Sequence, residues 1–141
     1  MRRPCHVAAV FAALVFTLIA NAYAAEERAL LAAPLTQAPG RQLSAVTVTY
    51  APGQSSPAHR HAGDVYAYVL KGHIRSRLAG GALHVYGPGD SWFEPAGTHH
   101  LLSGNASQTE PATMLVIFVA APDAELTTFD QSPPAARTHS R

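Results

Sequence analysis

Charge is what this chain has least of. Only 13% of its 141 residues are charged, and none lies between His6 and Ala25, whereas ordinary soluble domains carry about 25%. What charge there is nearly balances: ten Lys and Arg against nine Asp and Glu leave +1 at pH 7. That balance excludes a nucleic-acid binder working through a basic surface. A single cysteine, Cys5, excludes an intramolecular disulfide framework and any zinc site built from several cysteines. No helical pattern of useful length and no repeat at solenoid periods is present. The hydrophobic share, 48%, is too high for a disordered chain. The length suits one compact domain and is too short for two.

The uncharged stretch near the start reads as an address. Arg2 and Arg3 give a positive beginning, Val7 to Ala20 is an apolar run of 14 residues, and Ala22-Tyr23-Ala24 offers small residues for a peptidase. This is the layout of a secretory signal peptide over residues 1–24, and the run is shorter than the roughly 20 residues a membrane-spanning helix needs. The expected mature protein carries eight basic and nine acidic residues and no cysteine. It is therefore indifferent to an oxidising compartment. Export to the periplasm or beyond is expected, with no membrane attachment after cleavage.

Residues 25–41 form an N-terminal extension. Ala25 to Leu31 suits one or two helical turns, stopped by Pro34 and Pro39-Gly40. From Gln42 the pattern becomes short β-type runs between turn residues. Val65 to Leu70 is aromatic and β-branched, and His73 to Leu78 alternates, with Ile74, Ser76 and Leu78 on one face. Gly80-Gly81 marks a hairpin, and Ala112 to Ala120 is almost continuously apolar. Six or more such strands at spacings of about 8–12 residues predict an all-β sandwich or small barrel. Residues 122–141 read as a polar, Pro-rich C-terminal tail, with Leu126 and Phe129 as the residues able to hold its first half down.

The histidines are unevenly placed. His59 and His61 are two apart and follow Gly53 to Ala58; His99 and His100 follow Pro95-Ala96-Gly97-Thr98. On extended backbone, side chains alternate, so His59 and His61 share a face with Cα atoms about 6.6 Å apart. That spacing lets two imidazoles lean onto one ion at bonds of about 2.0–2.1 Å. On a helix they would diverge by about 200°. Taken alone, such a pair is as readily two solvated or core histidines. His73, His84 and His139 read as exposed.

The flanking residues alter that weighing. The chain resembles the cupin superfamily, whose first motif, G-x5-H-x-H-x3,4-E-x6-G, is similar to Gly53–Gly72 through Gly53, His59, His61 and Gly72. The second, G-x5-P-x-G-x2-H-x3-N, is similar to Gly89–Asn105 through Gly89, Pro95, Gly97 and His100, with Asn105 one place late. The resemblance covers about residues 42–121 and implies a single-domain jelly-roll β-barrel. It also implies that His59, His61 and His100 are metal ligands. The motif's carboxylate is missing: Val65 stands where Glu is expected, and Asp64 lies one residue earlier. On a strand, one residue reverses the facing, so Asp64 serves only if the turn at Ala62-Gly63 shifts register. Glu94 is the other candidate fourth ligand, weighed against a surface carboxylate, since charged side chains are seldom buried. His99 faces away from His100 and has at most a rim role.

The resemblance implies one divalent transition metal, and imidazoles suit Fe, Mn, Ni, Cu or Zn. Three protein ligands leave open positions, as catalytic centres do. Three neutral ligands would make the site cationic and suited to a small anionic or chelating molecule. The expected function is that of an exported, metal-dependent oxidoreductase of the dioxygenase-like or isomerase type. The alternative is a non-enzymatic protein that captures a small ligand or the ion itself. Tyr66, Tyr68, Trp92 and Phe93 are candidates for pocket walls or for packing. Two copies would pair through residues 26–45 or 112–120, and no nucleic-acid partner is expected.

Overall fold

The computed structural model describes residues 25–130. The signal segment read at 1–24 and the end of the tail, with His139, lie outside them. Among the described residues there is no helix, and hence none long and apolar enough to cross a membrane. Within the described residues, eleven strands form two antiparallel sheets. In one, β1 (Glu26–Pro34), β2 (Gln42–Tyr50), β10 (Ala112–Ala120), β5 (Asp64–Lys71) and β8 (Ser91–Glu94) lie side by side in that order. In the other the order is β11 (Thr127–Phe129), β4 (His59–His61), β9 (His99–Asn105), β6 (Ile74–Leu78) and β7 (His84–Tyr86), with β3 (Ser55–Ser56) paired to β9. The all-β architecture expected from the turn spacing is what the chain adopts.

Alternation builds the core. On β5, Val65, Ala67 and Val69 are buried, and on β10 every second residue from Ala112 to Ala120 is buried. These pack with Val48, Tyr50, Ile74 and Trp92 into one cluster between the sheets. The intervening side chains turn outward, so Tyr66 and Phe93, directly paired across β5 and β8, are both exposed.

Two segments differ from the sequence reading. Within Ala25 to Leu31, which suits a helical turn by propensity, everything from Glu26 on is strand: β1 pairs with β2 along almost its whole length. Good helix formers are overridden because the exposed edge of β2 offers a ladder of backbone donors and acceptors, whereas an isolated turn or two of helix is unstable in water. Part of the presumed tail is also strand, since β11 pairs with β4 through Thr127–His61 and Phe129–His59.

The corner joining the sheets is tightly fixed. Gly97, with φ of 77°, receives Arg60 Nη1–H on its carbonyl at 2.9 Å and donates its own N–H to His61 O at 2.9 Å. Gly63 packs so closely on the Val119 carbonyl and the Ala120 methyl that a Cβ would collide with both. The chain thus crosses from β8 in one sheet to β9 in the other through the turn 95–98.

Candidate metal centre

β4 is extended, as the chelating geometry requires, and directs His59 and His61 inward while Arg60 points to solvent. β9 lies beside β4 with His100 opposite His59. The three imidazoles meet: their nearest ligand atoms all lie within 4.8 Å of one another. Two bonds of about 2.1 Å reach about 4.2 Å when trans, so slight ring rotations would close the set on one ion.

Each ring is oriented by a partner behind it. His59 Nδ1–H donates to Pro57 O at 2.7 Å, and His61 Nδ1–H to Leu126 O at 3.1 Å, with Thr127 Oγ1 3.2 Å away. A carbonyl only accepts, so both rings carry their lone pair on Nε2. His100 is turned the other way, its Nε2 lying 2.8 Å from Ser76 Oγ. With Nε2–H donating to that hydroxyl, Nδ1 holds the lone pair. Burial pushes the His59 imidazole down to about 4, only partly offset by the Pro57 carbonyl, and lowers His61 against the opposing pull of Glu94. Both are neutral at pH 7, as metal ligands must be.

Glu94 corrects the surface reading. It is 2% exposed, with Oε1 3.2 Å from His100 Nδ1 and Oε2 3.9 Å from His61 Nε2. Trp92 Nε1–H donates to Oε1 at 2.8 Å. Burial raises this carboxyl, but His100, when its Nδ1 carries a proton, outweighs it together with the Trp92 hydrogen bond and holds Glu94 below its usual value; the neutral ring, with its Nδ1 lone pair free, is the form that would face an ion. Its Cα partner across the strand pair is Val65, the position at which the motif expects Glu. The carboxylate therefore stands on the facing strand. A signal was present: Glu94 shares its parity with Trp92 on a short strand, so an inward Trp92 implies an inward Glu94. Asp64, the other candidate, is exposed and accepts from Ala96 N–H at 2.9 Å. No register shift brings it inward.

Two buried atoms here have no hydrogen-bond partner, Glu94 Oε2 and His100 Nδ1; the latter's approach to Oε1 lies off the hydrogen-bonding direction. Orphaned buried acceptors are rare, and a pair of them beside two further imidazole lone pairs fits a cation. The donor set of three imidazoles and one carboxylate oxygen suits a divalent transition ion. The surrounding cavity, about 40 Å³, is walled by Tyr50, Trp92, Phe118 and Phe129, with Glu27 of β1 also on it. Of the aromatics singled out from the sequence, Trp92 lines it. His99 turns away and pairs with Asp130 at 2.8 Å.

Comparison with known proteins bears on this arrangement. No curated protein matches the chain. The DMSP lyase DddQ of Ruegeria pomeroyi superposes with a TM-score of 0.58 at 23% identity, over 75% of this chain and 51% of the lyase. The chain thus spans about half the length of that enzyme. A double-stranded β-helix protein of Klebsiella pneumoniae gives 0.60 at 19% identity, covering 77% and 86% of the two chains. An oxalate decarboxylase of Lactobacillus farciminis gives 0.53 at 22% identity, covering 62% and 26%. At these identities the likeness is one of fold. The profile described as "Cupin domain" matches residues 46–118, a span that contains all three clustered histidines and Glu94; the chain belongs to the cupin family.

Proposed function

We propose that this chain is an exported, metal-dependent cupin enzyme. His59, His61 and His100, with Glu94 beside them, hold one divalent transition ion, and a small chelating molecule is the substrate. The observation that carries the reading is the convergence of three oriented imidazoles within 4.8 Å on a pocket with two orphaned buried acceptors. A divalent ion bound there supplies Lewis acidity to a substrate's oxygens and open positions for a second ligand. The protein's own part is to orient the rings through Pro57, Leu126 and Ser76, and to keep Glu94 ionised against Trp92. Phe118 and Phe129 set rings beside His61 and His59, with centroids 5.2 and 5.5 Å away. Dioxygenase-like cleavage of a small diketone or phenolic compound fits these parts, and export follows from the character of residues 1–24.

The test is to load the purified protein with Fe(II), Mn(II), Ni(II), Cu(II) or Zn(II), verify stoichiometry by elemental analysis, and follow oxygen uptake with such substrates. Turnover with one of these ions, absent in the His59→Ala/His61→Ala variant, supports the proposal; stoichiometric binding without turnover leaves the second reading. That reading, non-enzymatic capture of the ion or a small ligand, is favoured by the cavity volume. At about 40 Å³ it holds about three waters, each needing about 10–15 Å³.

A further inference from the structure

The charges around the pocket point to a narrower class of ligand. Glu94 and Glu27 line it, and no lysine or arginine does so among the described residues. Glu27 sits on β1 opposite Val48, whose side chain is buried in the core, so the carboxylate is on the cavity side of the sheet. It is solvent-exposed and has no ion-pair partner among the described residues. The enclosed space is small enough to take a carboxylate and little more, so the rest of any ligand lies in the mouth, where Glu27 is.

Sites for di- or polyanions ordinarily present Arg or Lys to the ligand. Here a divalent ion with Glu94 leaves a single positive charge inside, and Glu27 adds a negative one at the rim. An anionic head inward and a cationic tail outward match both. Phe129, about half exposed and on the same pocket, offers a ring face that also attracts cations.

We propose that Glu27 is a specificity-determining residue that selects small zwitterions, molecules with one carboxylate for the metal centre and a cationic group a few bonds away. This deepens the metal reading of the same pocket and rests on it.

The experiment uses isosteric pairs that differ only in exchanging NH3⁺ for CH3: β-alanine with butyrate, 4-aminobutyrate with pentanoate, and 5-aminopentanoate with hexanoate. Each is titrated calorimetrically at pH 7 into the Zn(II)-loaded protein, whose ion content is first fixed by elemental analysis. The amino group is protonated at that pH. The expected result is that at least one amino acid binds about five- to tenfold more tightly than its isostere at low salt. The preference should shrink at about 0.5 M salt through screening. Glu27→Gln should abolish it without altering ion content, and Glu27→Lys should reverse it. Equal or tighter binding of every plain carboxylate, binding of neither partner in all pairs, or a preference that survives Glu27→Gln overturns the proposal while leaving the metal centre standing. An ion-free protein after loading overturns both.

Discussion

Single side chains decide how well the histidine cluster can hold an ion. Ser76 Oγ meets His100 Nε2 at 2.8 Å. Ser76→Ala should therefore lower metal affinity about 10- to 100-fold, the usual cost of losing a partner behind a ligating imidazole, and should also destabilise the metal-free protein by about 1–3 kcal/mol, because a buried N–H loses its acceptor. Calorimetric titration with Zn(II) checks this. Trp92→Phe removes the donor to Glu94 Oε1 while a ring still stacks on Tyr86, now 4.6 Å away. It should raise the Glu94 pKa and cost about 1–3 kcal/mol, because a buried carboxylate loses a partner; urea unfolding at pH 7 reads the cost. His59 gives a pH dependence. Its folded value of about 4 lies below the ordinary 6.5, so the unfolded chain takes up the proton first as pH falls. The contribution is complete above about pH 6.5, is lost progressively down to about pH 4, and is constant below that, on the order of 3 kcal/mol in all. Thermal melts of the metal-free protein across that window should show the decline.

The elements show which features could be read from residues and which could not. The shared face of His59 and His61 was legible because alternation is a local property, and Val65, Ala67 and Val69 face the core as alternation demands; His100, a distant residue, joined them only through the resemblance to the second cupin motif. The choice between Asp64 and Glu94 stayed open in the sequence because burial of a carboxylate depends on what packs against it. Here that is His100 and Trp92, one on the other sheet and one two residues away. β1 was misread for a related reason: nothing within Glu26–Pro34 encodes strand, and only the edge of β2 makes it one. The same holds for β11, whose composition is that of a tail. Yet β11 brings Leu126 O and Thr127 Oγ1 to His61 Nδ1. Ending the chain after Glu125 should thus weaken Zn(II) binding about 10- to 100-fold while far-ultraviolet circular dichroism keeps its β signature.

At the scale of the molecule, the site sits between the sheets: the three histidines belong to one and Glu94 to the other. An ion bound there joins both, and it binds only the folded chain. At a free concentration a hundred times the dissociation constant it adds about 2.7 kcal/mol, which for a domain near 100 residues raises the melting temperature by about 10–20 °C. Differential scanning calorimetry with and without Zn(II) should show this rise, and chelation with EDTA should reverse it.

The turn 95–98 gives this arrangement one more property. Glu94 and His100 are six positions apart along the chain yet face each other from separate layers, and the bend that carries the chain between them is clasped by Arg60 and the His61 carbonyl. Donor spacing is nevertheless set by strand registers, Glu94 against Val65 and His100 against His59, so the bridge itself carries no ligand. Change in the bend would be absorbed between two fixed layers, whereas a one-residue slip of either β8 or β9 would turn its donor to the outer face and silence the centre.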